Sequence, residues 1–342
     1  MGIKFLTRYT EIMQWDLLAI GDIATEPFIR LKEEPGYSRI DTEKREFCVP
    51  WGGKIPYDYS VTVPATGNAG NAAVAAARLG LSVALRAYVG KDRYGEECLE
   101  VLTKENVDTS LVVTDPARPT NYHYVLWYGD ERTILVKHEE YAYTVPEITE
   151  GPKWVYLSSL AEHSLPFHQQ LTEWFKKIPD TKLAFQPGTF QISLGTEALK
   201  GIYERSDIFF CNKEEAERIL ETDPTDDVKK LLADIQTLGP KVVVITDDTR
   251  GAYVLSASDY WRLPSYPDSH PPLESTGAGD SFASSITAAL AIGLPLEEAL
   301  LWGPVNAKSV VQEVGAQRGL LSREKIEEYL KNAPAEYRLT RF

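Results

Sequence analysis

Glu274-Ser-Thr-Gly-Ala-Gly-Asp-Ser-Phe282 is the stretch on which the reading of this chain turns, and a run of small and apolar residues from 283 to 290 follows it. Thr276, Gly277, Ala278 and Gly279 carry almost no side-chain bulk, so the backbone can approach a ligand closely. The small-residue run behind them predicts a buried helix whose first turn offers unpaired N–H groups and the positive end of the helix dipole. That combination suits an anion. Asp280 stands in the first turn, beside whatever the amides hold.

A carboxylate next to an anion hole fits a base that takes a proton from a hydroxyl nucleophile while the amides stabilise a transferred phosphoryl group. The plainer reading is a glycine-rich loop in which Asp280 is only a favourable charge at a helix start, and the motif alone leaves both open. A Walker A sequence, GxxxxGK followed by Ser or Thr, occurs nowhere, which disfavours a P-loop nucleotide hydrolase.

Outward from this turn, short apolar runs at 16–20, 82–89, 154–157, 182–185, 208–211 and 241–246 read as buried strands. Helical stretches at 71–79, 95–104, 164–177 and 214–220 lie between them, with Gly80 placed to end the first and Ser164 to cap the third. Strands alternating with crossover helices predict a doubly wound, mostly parallel sheet. Two segments break the alternation. Residues 26–64 carry Trp51, Tyr57 and Tyr59 among Gly and Pro, and 121–138 reads as two β runs joined at Gly129-Asp130. Either the hairpin extends the sheet edge, or both segments form a small separate sheet that covers a ligand.

The 342 residues carry 36 Lys or Arg against 50 Asp or Glu, a net charge of −14, which disfavours nucleic acid or an anionic membrane as partner. Cys48, Cys98 and Cys211 are in no metal or disulfide spacing, residues 1–15 lack the pattern of a signal peptide, and no apolar window is long enough to span a membrane. A cytoplasmic protein is expected, with one large α/β domain over 16–330, lid inserts at about 27–64 and 119–140, and an N-terminal extension at 1–15.

Six motifs stand in order: LLAIGD at 17–22, TGNAGNAAVAAARLG at 66–80, VGKDRYG at 89–95, FFCNKEEA at 209–216, VVVITDDTRGA at 242–252 and TGAGDSF at 276–282. In this series the chain resembles the ribokinase-like (PfkB) family of carbohydrate and nucleoside kinases, from about residue 16 to 321. The resemblance implies a three-layer α/β fold with a β lid, ATP and Mg²⁺ as co-substrate and cofactor, and a small sugar or nucleoside as acceptor. It implies Asp280 as general base, the Gly277, Ala278 and Gly279 amides as anion hole, and Glu26, Gly67 and Asn71 on the substrate. Asn212 and Glu215 would hold Mg²⁺ through water, with Thr246, Gly251, Thr276 and Asn306 also on the nucleotide side. It further implies that lids pair between subunits as a homodimer.

Some residues depart from the family pattern. Glu26 stands where Asp is usual, Thr66 and Ala69 replace glycines, and Asp248 takes a glycine position in the turn after Thr246. Glu274 replaces an Asp whose surroundings often hold a monovalent cation, so K⁺ activation is left open. A non-catalytic sugar or nucleotide sensor on the same fold is the alternative, and a dinucleotide oxidoreductase ranks last because no GxGxxG follows a strand. Locally, NKEE reads equally well as a capping box, and Asn71 as a helix cap. The five histidines show no metal spacing and Ser158-Ser159 no hydrolase elbow, while Tyr122, Tyr124, Trp127 and Tyr128 could stack on a sugar or base, with hairpin packing accounting for at least half of them. Lys32, Lys54, Arg132 and Lys137 are among the basic residues of the lid segments, available to a phosphosugar substrate, but charged surface residues are too common for anything to follow from them.

Overall fold

The short apolar runs become strands because each is buried on both faces, which parallel sheets require. In Leu17–Ile20 the side chains of Leu17 and Ala19 enter one core and those of Leu18 and Ile20 the other, and Trp154–Leu157 divides in the same way. The computed structural model describes residues 15–342 except 35, 42, 45, 130, 268 and 269. Residues 1–14 of the expected extension and Asp130 of the expected turn lie outside the described residues.

The central sheet runs from Val107–Asp108 through Val83–Arg86, Leu17–Ile20, Trp154–Leu157, Lys182–Phe185 and Ile208–Asn212 to Val242–Thr246, all parallel. Ala252–Ser256, Asp259–Leu263 and Thr340–Arg341 then extend it antiparallel. Helices Asn68–Arg78, Ala278–Ile292 and Leu296–Val310 cover one face, and Leu165–Phe175, Lys200–Arg205 and Val228–Thr237 the other. The result is the expected three-layer, mostly parallel architecture. The chain leaves Leu17–Ile20 for its neighbour Val83–Arg86 on one side and returns to it with Trp154–Leu157 on the other. Such a reversal opens a crevice at the carboxyl ends of the two strands, where α/β sheets bind ligands.

The two irregular segments meet in a sheet of their own, in the order Glu131–Leu135, Tyr124–Tyr128, Ala24–Leu31, Tyr57–Thr66. This decides between the two sequence readings: the hairpin joins the lid and not the edge of the central sheet. Two lid strands are inserted between the first core strand and its helix, because Ala24 begins close after Ile20 and Thr66 ends just before Asn68, and the hairpin joins them from later in the chain. Phe28, Val125 and Trp127 form its buried face. Trp127 packs under Arg30 and against Tyr59, and Tyr128 against Phe47, so packing explains most of the hairpin's aromatic rings.

Local differences from expectation have local causes. The strand expected at 82–89 is two, Val83–Arg86 and Tyr88–Gly90. Ser164 does not cap its helix: a 3-10 turn over Glu162–Ser164 runs straight into it, so Ser164 is already helical and its hydroxyl is buried without a partner. The helix expected from residue 71 starts at Asn68, with Gly67 as the capping position at φ 99°. Asn71 therefore caps nothing.

Candidate active site

The glycine-rich turn folds as its sequence demands. Gly277 takes the left-handed conformation at φ 81° and precedes helix Ala278–Ile292, which places Asp280 in the first turn. A Cβ on Gly277 would stand 2.3 Å from the Cβ of Ala316, so only glycine fits. At Gly279 an added Cβ would meet nothing nearer than Gln186 Nε2 at 3.6 Å, which leaves this part of the turn open. The Ala278 N–H makes only a long 3.4 Å contact to Ser275 O. First-turn amides without intrahelical partners, set in an open glycine cradle, fit an anionic phosphoryl group.

Asp280 is held from two sides. Asn71 Nδ2 donates to its Oδ2 at 2.8 Å and Gln186 Nε2 to its Oδ1 at 3.3 Å. Each donor is itself anchored: Asn71 Oδ1 accepts from Gln317 Nε2 at 3.1 Å, the same amide donates to Ala65 O at 2.8 Å, and Gln186 Oε1 accepts from the Tyr156 hydroxyl. Tyr156 lies on a central strand, Gln186 directly after the neighbouring one, and Asn71 on the helix after the lid, so the sheet and one helix layer converge on one carboxylate. Burial raises the pKa of Asp280 above its ordinary value; the Asn71 and Gln186 hydrogen bonds oppose this, Glu26 adds to it, and Arg132 opposes it again. The residue as a whole is half-buried.

Glu26, Gly67 and Asn71 stand together on the lid side. Glu26 is buried on lid strand Ala24–Leu31 and its Oε1 lies 3.3 Å from His123 Nδ1. Gly67 is required by its positive φ and by Asp22 O, 2.7 Å from where a Cβ would be. Asn212 and Glu215 lie at the carboxyl end of Ile208–Asn212, where Asn212 registers with Thr246 on the next strand. The two make the reciprocal capping box that NKEE allows, Glu215 N–H to Asn212 Oδ1 at 2.7 Å and Asn212 N–H to Glu215 Oε2 at 2.9 Å. Burial raises the pKa of Glu215, the Asn212 N–H and the charge of Arg218 oppose this, and the charge of Asp280 adds to it.

In the turn after Thr246, Asp248 holds φ 47°, a conformation that Asp tolerates better than most side chains, which accounts for its use at a glycine position. Gly251 cannot be replaced, because a Cβ would lie 2.2 Å from Leu263 O. Thr276 donates its N–H and hydroxyl to Glu274 Oε1. Asn306 is fully buried, donating to Ser285 Oγ at 2.7 Å and accepting from Leu321 N–H at 2.9 Å. Gln186, His123 and Arg132 had no motif to mark them as part of the site. Only Gln186 had a positional signal, a polar residue directly after a parallel strand.

Hard oxygen donors on Asn212 and Glu215 fit Mg²⁺. Among the described residues no group of three or more His, Cys, Asp or Glu is placed to hold a metal.

The model of the pfkB family carbohydrate kinases matches residues 50–323, which contain every site residue above except Glu26. The chain belongs to the pfkB family. A ribokinase of Bacillus subtilis is 30% identical over 280 residues, covering 79% of this chain and 88% of its own. A nucleoside kinase of Methanothermobacter thermautotrophicus is 26% identical over 316 residues, covering 89% and 92%. The fold matches the Methanocaldococcus jannaschii nucleoside kinase with a TM-score of 0.74 at 19% identity, over 93% of this chain and 99% of that one. Arabidopsis thaliana ribokinase complexed with ribose and ATP gives 0.73 at 20% identity, with the same coverage. This pfkB member therefore sits among sugar and nucleoside kinases, with a ribokinase fold.

Proposed function

We propose that this protein is an ATP-dependent kinase that phosphorylates a hydroxyl group of a small sugar or nucleoside, with Asp280 as general base. The observation that carries the reading is the carboxylate of Asp280, fixed by Asn71 and Gln186 in the first turn of the helix behind Gly277. An acid used only as a helix charge needs no such support from a second helix and the central sheet.

Asp280 Oδ1, with the longer of the two contacts, is the freer oxygen to receive the acceptor's proton. Burial raises the proton affinity of the carboxylate and so improves it as a base. Glu26 and Asn71 would orient the acceptor hydroxyls, and Gly67 would let the acceptor approach the backbone. The Gly277, Ala278 and Gly279 amides would carry charge that develops on the transferred group. Asn212, Glu215, Thr246 and Gly251 would line the nucleotide side. Mg²⁺, when bound with ATP, supplies charge neutralisation of the phosphates. Asn306 would act on the nucleotide side only by fixing the packing of helices Ala278–Ile292 and Leu296–Val310. Tyr57, Tyr59, Tyr124 and Leu135 lie exposed on the lid, which supports pairing of lids between two copies. Three free cysteines fit a reducing cytoplasm.

The test is a panel of pentoses, hexoses and nucleosides with ATP and Mg²⁺, read by ADP release, for the wild type and Asp280→Asn. At least one acceptor should raise release, and the variant should lower turnover by about 10²- to 10⁴-fold while remaining folded. Near-normal turnover of a folded variant removes Asp280 from the mechanism.

A further inference from the structure

The transfer turn contains a second acid that proton transfer does not use. Glu274 has no solvent exposure. Its Oε1 accepts from the N–H of Thr276 at 2.8 Å and from the Thr276 hydroxyl, while its Oε2 has no hydrogen-bond partner. Burial raises the pKa of Glu274, opposed by the Thr276 hydrogen bonds, the charge of Arg132 and the Gly315 N–H, so the group stays a carboxylate only with a counter-charge beside it. The need is sharper here, because a bare negative charge three residues before Gly277 would oppose the task of the anion hole.

The counter-charge arrives from the lid. Arg132, on strand Glu131–Leu135, donates from Nη1 to Ser275 Oγ at 2.9 Å and brings Nε to 3.9 Å from Glu274 Oε1. That Nε is buried with no hydrogen-bond partner, so the guanidinium is seated against the turn by Ser275 and by charge. Its field also reaches Asp280. Among the described residues, Glu131 also lies near it at 3.5 Å, but it is exposed and contributes little. Lys32 and Lys137 pair with Glu34 and Glu139 and do not serve the turn.

We propose that Arg132 is a positioning residue which, from the lid, pins Ser275 and offsets Glu274, and so supplies the positive charge of the transfer turn in place of a monovalent cation. A K⁺ ion at Glu274 would have Oε2 to bind, but it would share the carboxylate with a guanidinium already facing Oε1, and the two cations repel. The charge is also tied to the lid, so the turn is complete only when the hairpin lies on it. The inference rests on the kinase reading for its catalytic consequence and not for its cation consequence.

The experiment compares wild type, Arg132→Gln and Arg132→Lys as full chains, in KCl and in tetramethylammonium chloride at equal ionic strength. Melting temperature is read without nucleotide, and ADP release is read with Mg-ATP and D-ribose. Wild type should melt alike in the two salts, and its ADP release should differ by less than about fivefold, the lower end of ordinary effector coupling. Arg132→Gln should lose about 10- to 100-fold in tetramethylammonium, as expected for a displaced anion hole, and should regain turnover and melting temperature in K⁺. Arg132→Lys, which keeps the charge without the planar fork, should fall between the two. Strong K⁺ activation of wild type, or a loss in Arg132→Gln that K⁺ does not touch, overturns the inference. If D-ribose gives no turnover with any form, the melting temperatures still decide: wild type indifferent and Arg132→Gln raised by K⁺ supports it, and the reverse refutes it.

Discussion

Gly277→Ala and Gly279→Ala should have opposite effects although they lie in one motif. At Gly277 the backbone has φ 81°, and a methyl group would be built 2.3 Å from Ala316 Cβ and 2.6 Å from Ala316 Cα. Placing alanine in the left-handed region costs about 1–2 kcal/mol. Forcing the neighbouring backbone to give way adds about 1–3 kcal/mol. The sum, about 2–5 kcal/mol, is a large part of the stability of an ordinary domain. At Gly279 the conformation is helical and the nearest atom to a new methyl is Gln186 Nε2 at 3.6 Å, an ordinary contact. Stability should then be unchanged or gain up to about 1 kcal/mol, since alanine suits a helix better than glycine. The methyl would nevertheless occupy the open side of the first turn, where a phosphoryl oxygen must approach the amides, so turnover should fall. Urea denaturation gives the stabilities and ADP release gives the activities. A Gly277→Ala protein as stable as wild type would refute the steric argument, and a Gly279→Ala protein with full activity would refute the placing of the anion hole.

Two further outcomes follow from the support around Asp280. Its folded pKa is raised by burial, so the folded state holds a proton the unfolded chain has released, and stability from this group is lost as pH rises through the raised value. Asp280→Asn should therefore melt no lower than wild type at pH 8, with the difference shrinking as pH falls toward the ordinary carboxylate value of 3.8; a variant less stable at every pH contradicts this. Asn71→Ala removes a hydrogen bond that holds the Asp280 pKa down, so the acid limb of the pH–rate profile should move to higher pH, with a stability loss of about 1–3 kcal/mol measurable by thermal denaturation. An unshifted acid limb would show that Asp280 is not the titrating base.

Much of the candidate site was legible because its parts are short-range. The capping box of Asn212 and Glu215 closes within one helical turn, and Asp280 lies three residues after the glycine that starts its helix. The same local logic failed at Ser164, where a preceding 3-10 turn had already committed the residue to helix, and at Asn71, where the helix began one turn earlier than expected. Neither signal is carried by side-chain type alone.

The order of motifs and the period-two division of Leu17–Ile20 between two cores were determined by sequence, since strand and helix periodicities act between neighbours along the chain. Only the tertiary structure decided that Asn71 meets Asp280 across 209 residues, that Gln186 meets it across 94, and that Arg132 reaches Ser275 across 143. The hairpin at 121–138 had two places to go, and the partner offered by Ala24–Leu31 settled which. The physical reason is the same in each case. Hydrogen bonds and ion pairs between distant residues are specified by the packing that brings their elements together, and one sequence window contains only one side of each pair.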